Sequence, residues 1–182
     1  MGSITPTSQR AARILPSGER APEFELPAGP GEPGGAERTI SLKNYRGRNV
    51  ILAFYPADFS PVCGDQMTLY NEILPEFEAL DAQLLGISVD GVWCHQAYAE
   101  ARKLKFPLLS DFHPKGVVAQ RYGSYSNEFG VAVRSLFVID GDGVIRWSYL
   151  SPIDVNPGAD GILAALEEIR TSKAAEGEKG GT

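Results

Sequence analysis

The chain has 182 residues, 43% of them hydrophobic and 22% charged, the proportions of one soluble globular domain and not of a disordered chain. Its 17 Lys and Arg against 23 Asp and Glu give a formal net charge of −6, which argues against a nucleic-acid binder, since that needs a basic face. No apolar run approaches the roughly 18 residues of a membrane span, the opening MGSITPTSQR lacks the apolar stretch of a signal peptide, and Pro6 breaks the myristoylation pattern that Gly2 begins.

In chain order, residues 1–18 are polar and aperiodic and read as a flexible arm ahead of a domain over 19–172. Residues 21–27 (APEFELP) alternate and read as a short edge strand between prolines. Residues 29–37 are rich in Gly and Pro and form a loop, and 39–42 make the return strand of an N-terminal hairpin. Residues 49–55 (NVILAFY) are almost all apolar, as in a strand buried on both faces of a parallel sheet. A helix over 61–80 follows, with Met67, Tyr70, Ile73, Leu74, Phe77 and Leu80 at helical spacing and a kink at Pro75.

Residues 83–89 are the next buried strand. Residues 92–105 are a helix with Ala97, Tyr98, Ala101 and Leu104 on its apolar face, closed by Pro107, and a short strand follows at 108–109. A helix over 114–122 ends at Gly123. Strands at 135–140 and 144–150 are joined by a Gly141-Asp142-Gly143 turn. Asn156 caps the last helix with Pro157 at its first position, and Ile162, Leu163, Leu166 and Ile169 form its buried face. Residues 173–182 read as a flexible tail. Alternating strands and helices with a C-terminal hairpin predict an α/β three-layer sandwich around a mixed sheet.

The two cysteines, Cys63 and Cys94, form no CxxC pair, which excludes a disulfide scaffold, a thioredoxin-type dithiol and a zinc knuckle. With His95 and His113 they match no standard zinc spacing, so no metal is assigned. Reduced thiols point to a cytoplasmic protein. The segment FYPADFSPVCGDQ places Cys63 in the first turn of a helix, just after a buried strand and a loop. Orphaned N–H groups and the positive end of the helix dipole favour a thiolate there. Ser60, three residues earlier, can bring its hydroxyl beside the sulfur, although Ser60-Pro61 is also an ordinary helix start. Taken alone, these residues leave a reactive Cys63 and a buried structural one equally open.

Pro56-x-x-x-Ser60-x-x-Cys63, with Phe54-Tyr55 before the proline and Pro61-Val62 before the cysteine, resembles the peroxiredoxin active-site motif Pro-x-x-x-Thr/Ser-x-x-Cys. Ser88-Val89-Asp90 followed by His95, the segment FPLLSDFHPKG from Phe106, and Arg134 with Phe137-Val138-Ile139-Asp140 extend the likeness over residues 21–170. The FPLLSDFHPKG segment is most similar to the alkyl hydroperoxide reductase E branch. The resemblance implies a thioredoxin-like fold and a thiol-dependent peroxidase. Cys63 would be the peroxidatic nucleophile, Ser60 a hydrogen-bonding partner of the peroxide, Pro56 a shield against water, and Arg134 a cation over thiolate and peroxide. Gln66 stands where many members carry Glu; its amide can accept a hydrogen bond from an arginine but adds no charge. Cys94 is either a resolving thiol or a packed small residue: the E branch commonly uses one cysteine, while some peroxiredoxins place a resolving thiol in this helix. The family usually forms homodimers or higher homo-oligomers, and its reductant would be thioredoxin, a glutaredoxin-like protein or a small thiol. No cofactor is implied.

The chemistry ranks these roles. Lowering a thiol pKa from about 8.5 to about 6 raises the thiolate fraction at pH 7 only ~30-fold, or ~2 kcal/mol, against the ~8 kcal/mol or more that enzymes supply. Most of the acceleration must come from donors aimed at the departing oxygen, with Arg134 first, then the Ser60 hydroxyl and the Cys63 N–H. His95 is read as a packed or hydrogen-bonded helix residue rather than a general base for Cys63. The rival readings are a thioredoxin-like disulfide reductase, which the missing CxxC disfavours, and a redox-sensing or holdase module without peroxidase turnover.

Overall fold

The computed structural model describes residues 12–29 and 38–179. Its elements are β1 (Glu25–Ala28), β2 (Arg38–Ser41), a 3-10 turn (Leu42–Tyr45), β3 (Asn49–Phe54), α1 (Pro61–Glu72), α2 (Leu74–Ala79), β4 (Ala82–Ser88), α3 (Val92–Arg102), β5 (Leu108–Ser110), α4 (Val117–Arg121), β6 (Tyr125–Ser126), β7 (Val131–Ala132), β8 (Ser135–Ile139), β9 (Ile145–Leu150) and α5 (Asp160–Lys179).

The central strand explains the architecture. Every residue of β3 is buried, and side chains alternate across a sheet. Ile51, Ala53 and Tyr55 enter an apolar cluster with Met67, Phe77, Tyr98, Ile162 and Leu166. Val50, Leu52 and Phe54 enter a second cluster with Leu85, Ile87, Phe137, Val118 and Tyr122. Both faces of the sheet are therefore covered, by α1, α2, α3 and α5 on one side and by α4 with adjoining loops on the other. The seven strands run in the order β2-β1-β5-β4-β3-β8-β9. β3, β4 and β5 are parallel neighbours, while β8 and β9 on one flank and β1 and β2 on the other pair antiparallel. This is the mixed-sheet sandwich with an N-terminal hairpin that the residue pattern predicts, in the thioredoxin-like form that the resemblance implies.

Several boundaries differ. The strand expected at 21–27 is β1, which starts at Glu25 and is not an edge; β2 outside it is. The helix expected over 61–80 breaks into α1 and α2 at Ile73, because Pro75 has no N–H to give the preceding turn and its ring crowds the carbonyl four residues back, whereas in the first turn of a new helix the missing N–H costs nothing. On α3, Ala97 and Ala101 are exposed while His95 and Tyr98 are buried, so the helix is rotated from the face read off its alanines. Tyr98 alone brings more apolar area to the core than both alanines together.

The last helix begins at Asp160, not after Asn156. Gly158 has φ of +66°, outside helical space, and its N–H is held by Asn156 Oδ1 at 3.1 Å, a side-chain turn in place of a cap. α5 continues to Lys179, through most of the segment expected to be a flexible tail. Of the arm expected over 1–18, residues 1–11 lie outside the described residues. Beyond them, Leu15 N–H donates to the Tyr122 carbonyl at 3.1 Å and Gly18 N–H to the Ile145 carbonyl at 2.8 Å. Among the described residues, no helix is long and apolar enough to cross a membrane.

Candidate active site

The sheet register assembles the site. β3 ends at Phe54, and α1 starts at Pro61, so the 56–60 loop leaves from the carboxyl end of a central parallel strand, the usual place for a site in such sheets. The antiparallel β3–β8 pairing sets Phe54 opposite Ser135. Arg134, the residue before Ser135, is thereby delivered to the same end as the loop and Cys63. A spacing of 71 residues collapses into one hydrogen bond: Arg134 Nη2 donates to Cys63 Sγ at 3.4 Å.

Cys63 is the third residue of α1 and fully buried. Ser60 occupies the N-cap position, yet its hydroxyl makes no capping bond. Only its carbonyl is engaged, accepting from Gly64 N–H at 2.9 Å. The Cys63 N–H belongs to the first helical turn, where donors have no intrahelical acceptor. One hydroxyl and one amide at this helix start are thus left without a secondary-structure role. Pro56 is buried at the start of the loop.

Arg134 is 1% exposed, and none of the ion pairs among the described residues includes it. A buried guanidinium needs its donors satisfied. Nη1 donates to Gln66 Oε1 at 2.6 Å, and Nε and Nη2 donate to the Ile153 carbonyl at 3.2 and 2.8 Å. Those acceptors are neutral, and the sulfur of Cys63 is the one partner able to become an anion.

Gln66 is itself oriented. Its Nε2 donates to Tyr70 Oη at 3.2 Å, and the Tyr70 hydroxyl donates to the Gly158 carbonyl at 3.0 Å. This relay fixes which end of the amide faces Arg134, so a neutral residue holds the guanidinium. Tyr70, read from the sequence as a core position, is also part of the site's support. Its place four residues after Gln66 was the available signal. The Ile153 and Gly158 carbonyls carried none. We expect Gln66→Leu to leave Nη1 without an acceptor, costing roughly 1–3 kcal/mol in stability and, on the chemistry that the resemblance implies, slowing oxidation of Cys63 about tenfold. Denaturant melts and stopped-flow oxidation read the two effects separately, and an unchanged rate would make Gln66 dispensable for aiming Arg134.

Cys94 and His95 lie in the first turn of α3, beside the 56–60 loop. Both cysteines are free. The Cys94 sulfur lies within 4.8 Å of carboxylate oxygens of Asp58 and Asp90. Burial, followed by those two carboxylates, pushes its thiol up to about 11. The carboxylates are already committed: Asp58 to Tyr55 and His95, Asp90 to Ser88 and the Asp58 N–H. His95 is 1% exposed, bonded to Asp58 and the Leu109 carbonyl. It is a buried, hydrogen-bonded helix residue, as expected. His113 is exposed.

A thioredoxin-like sandwich with a buried helix-start cysteine that accepts a hydrogen bond from a buried arginine, and with no CxxC, has the makings of a thiol redox protein. The AhpC/TSA family model matches residues 17–148, and the chain belongs to that family, the peroxiredoxins, whose members reduce peroxides with thiols. Alkyl hydroperoxide reductase E of Mycobacterium tuberculosis is 38% identical over 136 residues, covering 74% of this chain and 85% of that one. A longer relative from Entamoeba histolytica is 39% identical over 165 residues, 86% of this chain and 66% of its own length. Among solved structures, reduced 2-Cys peroxiredoxin of Plasmodium vivax matches with a TM-score of 0.80 at 26% identity, covering 88% of this chain and 84% of that one.

Proposed function

We propose that this peroxiredoxin reduces hydrogen peroxide and organic hydroperoxides at Cys63 and is returned to its thiol form by an external thiol. The observation that carries this reading is the buried Arg134, satisfied by neutral acceptors and donating to the Cys63 sulfur. The Cys63 thiolate attacks the terminal peroxide oxygen. The O–O bond breaks, an S–O bond forms, and the departing oxygen leaves as water or alcohol with a proton, giving a sulfenic acid. Charge grows on that oxygen as the bond stretches. Arg134, the uncommitted Ser60 hydroxyl and the Cys63 N–H are the donors able to stabilise it, and Pro56 shields the sulfur. One reductant thiol then displaces hydroxide as water to form a mixed disulfide, and a second releases Cys63.

Cys94 is assigned no resolving role. A resolving cysteine attacks as a thiolate, and burial together with the Asp58 and Asp90 carboxylates beside the sulfur pushes the Cys94 thiol up, away from that form. The expected result with one equivalent of peroxide is a chain heavier by about 16 Da, the added oxygen, with Cys63 reactive to dimedone and Cys94 still open to alkylation. A chain lighter by about two hydrogens, with both thiols blocked, would establish a Cys63–Cys94 disulfide instead. Peroxide consumption with excess thiol separates this function from a redox-sensing or holdase module, which would oxidise once and stop. The reductant is a thioredoxin, a glutaredoxin-like protein or a small thiol. The two free thiols fit a reducing, cytoplasmic compartment, and the exposed aromatic residues Phe59, Trp93 and Phe129 supply apolar surface of the kind homodimers bury.

A further inference from the structure

The 56–60 loop carries Pro56 and Ser60, yet its conformation needs outside support. Phe59, between Asp58 and Ser60, has φ of +59°, a left-handed conformation unfavourable for a bulky side chain. The residue is 55% exposed, and its ring meets that of Tyr98 edge-on with the centroids 5.1 Å apart. The tether lies one residue earlier. The Asp58 N–H donates to Asp90 Oδ2 at 2.9 Å, which also accepts from the Ser88 hydroxyl at 2.6 Å. Asp58 Oδ1 accepts from the Tyr55 hydroxyl at 2.7 Å, and Asp58 Oδ2 meets His95 Nδ1 at 2.8 Å. His95 Nε2 reaches the Leu109 carbonyl on β5 at 3.1 Å. Asp58 and His95 are 8% and 1% exposed.

Counting protons defines this arrangement. A carbonyl only accepts, so His95 carries a proton on Nε2. A carboxylate oxygen and an imidazole nitrogen 2.8 Å apart also need one proton between them. The pair is therefore either an imidazolium with a carboxylate or an imidazole with a carboxylic acid, and both forms are neutral as a unit. Tyr55, Asp90 and the Cys94 thiol are the other titratable groups facing it.

We propose that the buried Asp58–His95 pair, completed by Tyr55, is a clamp that holds the 56–60 loop in register with Cys63, so that Ser60 and the Cys63 N–H meet the peroxide together. Asp58 and His95 are positioning residues acting through Ser60. The clamp ties the strand that ends at the site (Tyr55 follows β3) to the start of α3 and to β5. This rests on the peroxidase reading above and adds to it residues remote from the sulfur.

The test compares two reactions of Cys63 in the reduced full-length chain at one pH. Alkylation by iodoacetamide, followed at the Cys63 peptide by mass spectrometry, needs only a thiolate and access. Oxidation by hydrogen peroxide, followed by stopped flow, needs the loop donors as well. In Asp58→Ala and His95→Phe we expect peroxide attack to slow ten- to hundredfold, the scale of a displacement near 1 Å, while alkylation changes less than threefold. The double variant should be no slower than the slower single one, because either change opens the whole clamp. Asp58→Asn, whose amide can keep a proton between the two side chains, should recover most of what Asp58→Ala loses. Tyr55→Phe removes one donor and keeps the ring, and should slow attack two- to tenfold; it carries the test should Asp58→Ala not fold. Peroxide rates within twofold of the parent in folded variants, or peroxide and alkylation rates falling in parallel, would overturn the proposal. A parent protein whose Cys63 resists peroxide altogether would instead remove the peroxidase reading beneath it.

Discussion

Cys63→Ser is expected to abolish peroxide turnover while leaving the fold intact. The substitution is nearly isosteric at a fully buried position, and the serine oxygen can still accept from Arg134. What disappears is a redox element. Sulfur can take up oxygen and return it through a disulfide with an external thiol. Attack by a serine oxygen would make another O–O bond, with no net reduction. Serine is also far less acidic than cysteine, so the nucleophile itself is missing. The check is hydrogen peroxide consumption with excess dithiol and a thermal melt beside it. The variant should retain below about 1% of the parent rate. More than that in a folded variant would show that Cys94, the remaining thiol, turns over, and would move the site to α3.

Arg134→Lys is the second large effect, and it separates charge from geometry. The guanidinium of Arg134 makes four hydrogen bonds: one to Gln66, two to the Ile153 carbonyl and one to the Cys63 sulfur. A planar fork can serve those directions together, whereas a lysine ammonium is a compact point charge on a flexible stem. The positive charge survives, so the electrostatic support of an anionic sulfur falls only in part. The donors held ready for the departing oxygen are lost. Removing one such preorganised donor typically costs 10²–10³ in rate, about 2.7–4 kcal/mol. We expect stopped-flow peroxide attack to fall by that factor, with a much smaller change in alkylation of Cys63. A rate within a few-fold of the parent would make Arg134 a packing residue and leave Ser60 and the Cys63 N–H as the donors that matter.

Much of the frame is written locally. The unbroken apolar run of β3 announces a strand buried on both faces, because alternating side chains leave no face for water. Pro75 announces a helix break through its missing N–H. Gly123, at φ of +70°, stops α4 where the pattern places the stop: its N–H bonds the Gln120 carbonyl at 3.0 Å and the next N–H bonds the Ala119 carbonyl at 2.7 Å. Pro56, Ser60 and Cys63 fall within eight residues, a span over which a loop and a helix start set relative positions by themselves. Arg134 was reached by likeness to a family, not by local reading, because nothing in its neighbours says what it faces.

Residue order alone settled that this chain has a both-face-buried central strand, a cysteine in the first turn of the helix that follows, and no dithiol; helix periods, proline geometry and turn glycines act within a few residues. Tertiary structure alone decided the rest. The register of β3 against β8 carries Arg134 to Cys63. The path of the 151–159 loop supplies the Ile153 and Gly158 carbonyls, which belong to every residue type and so leave no trace in a sequence. The crossing of α3 over the sheet turns His95 and Tyr98 inward, leaves Ala97 and Ala101 in water, and places His95 against Asp58, 37 positions earlier. Such pairings depend on how whole elements pack, and burial with hydrogen-bond satisfaction, not spacing along the chain, selects them.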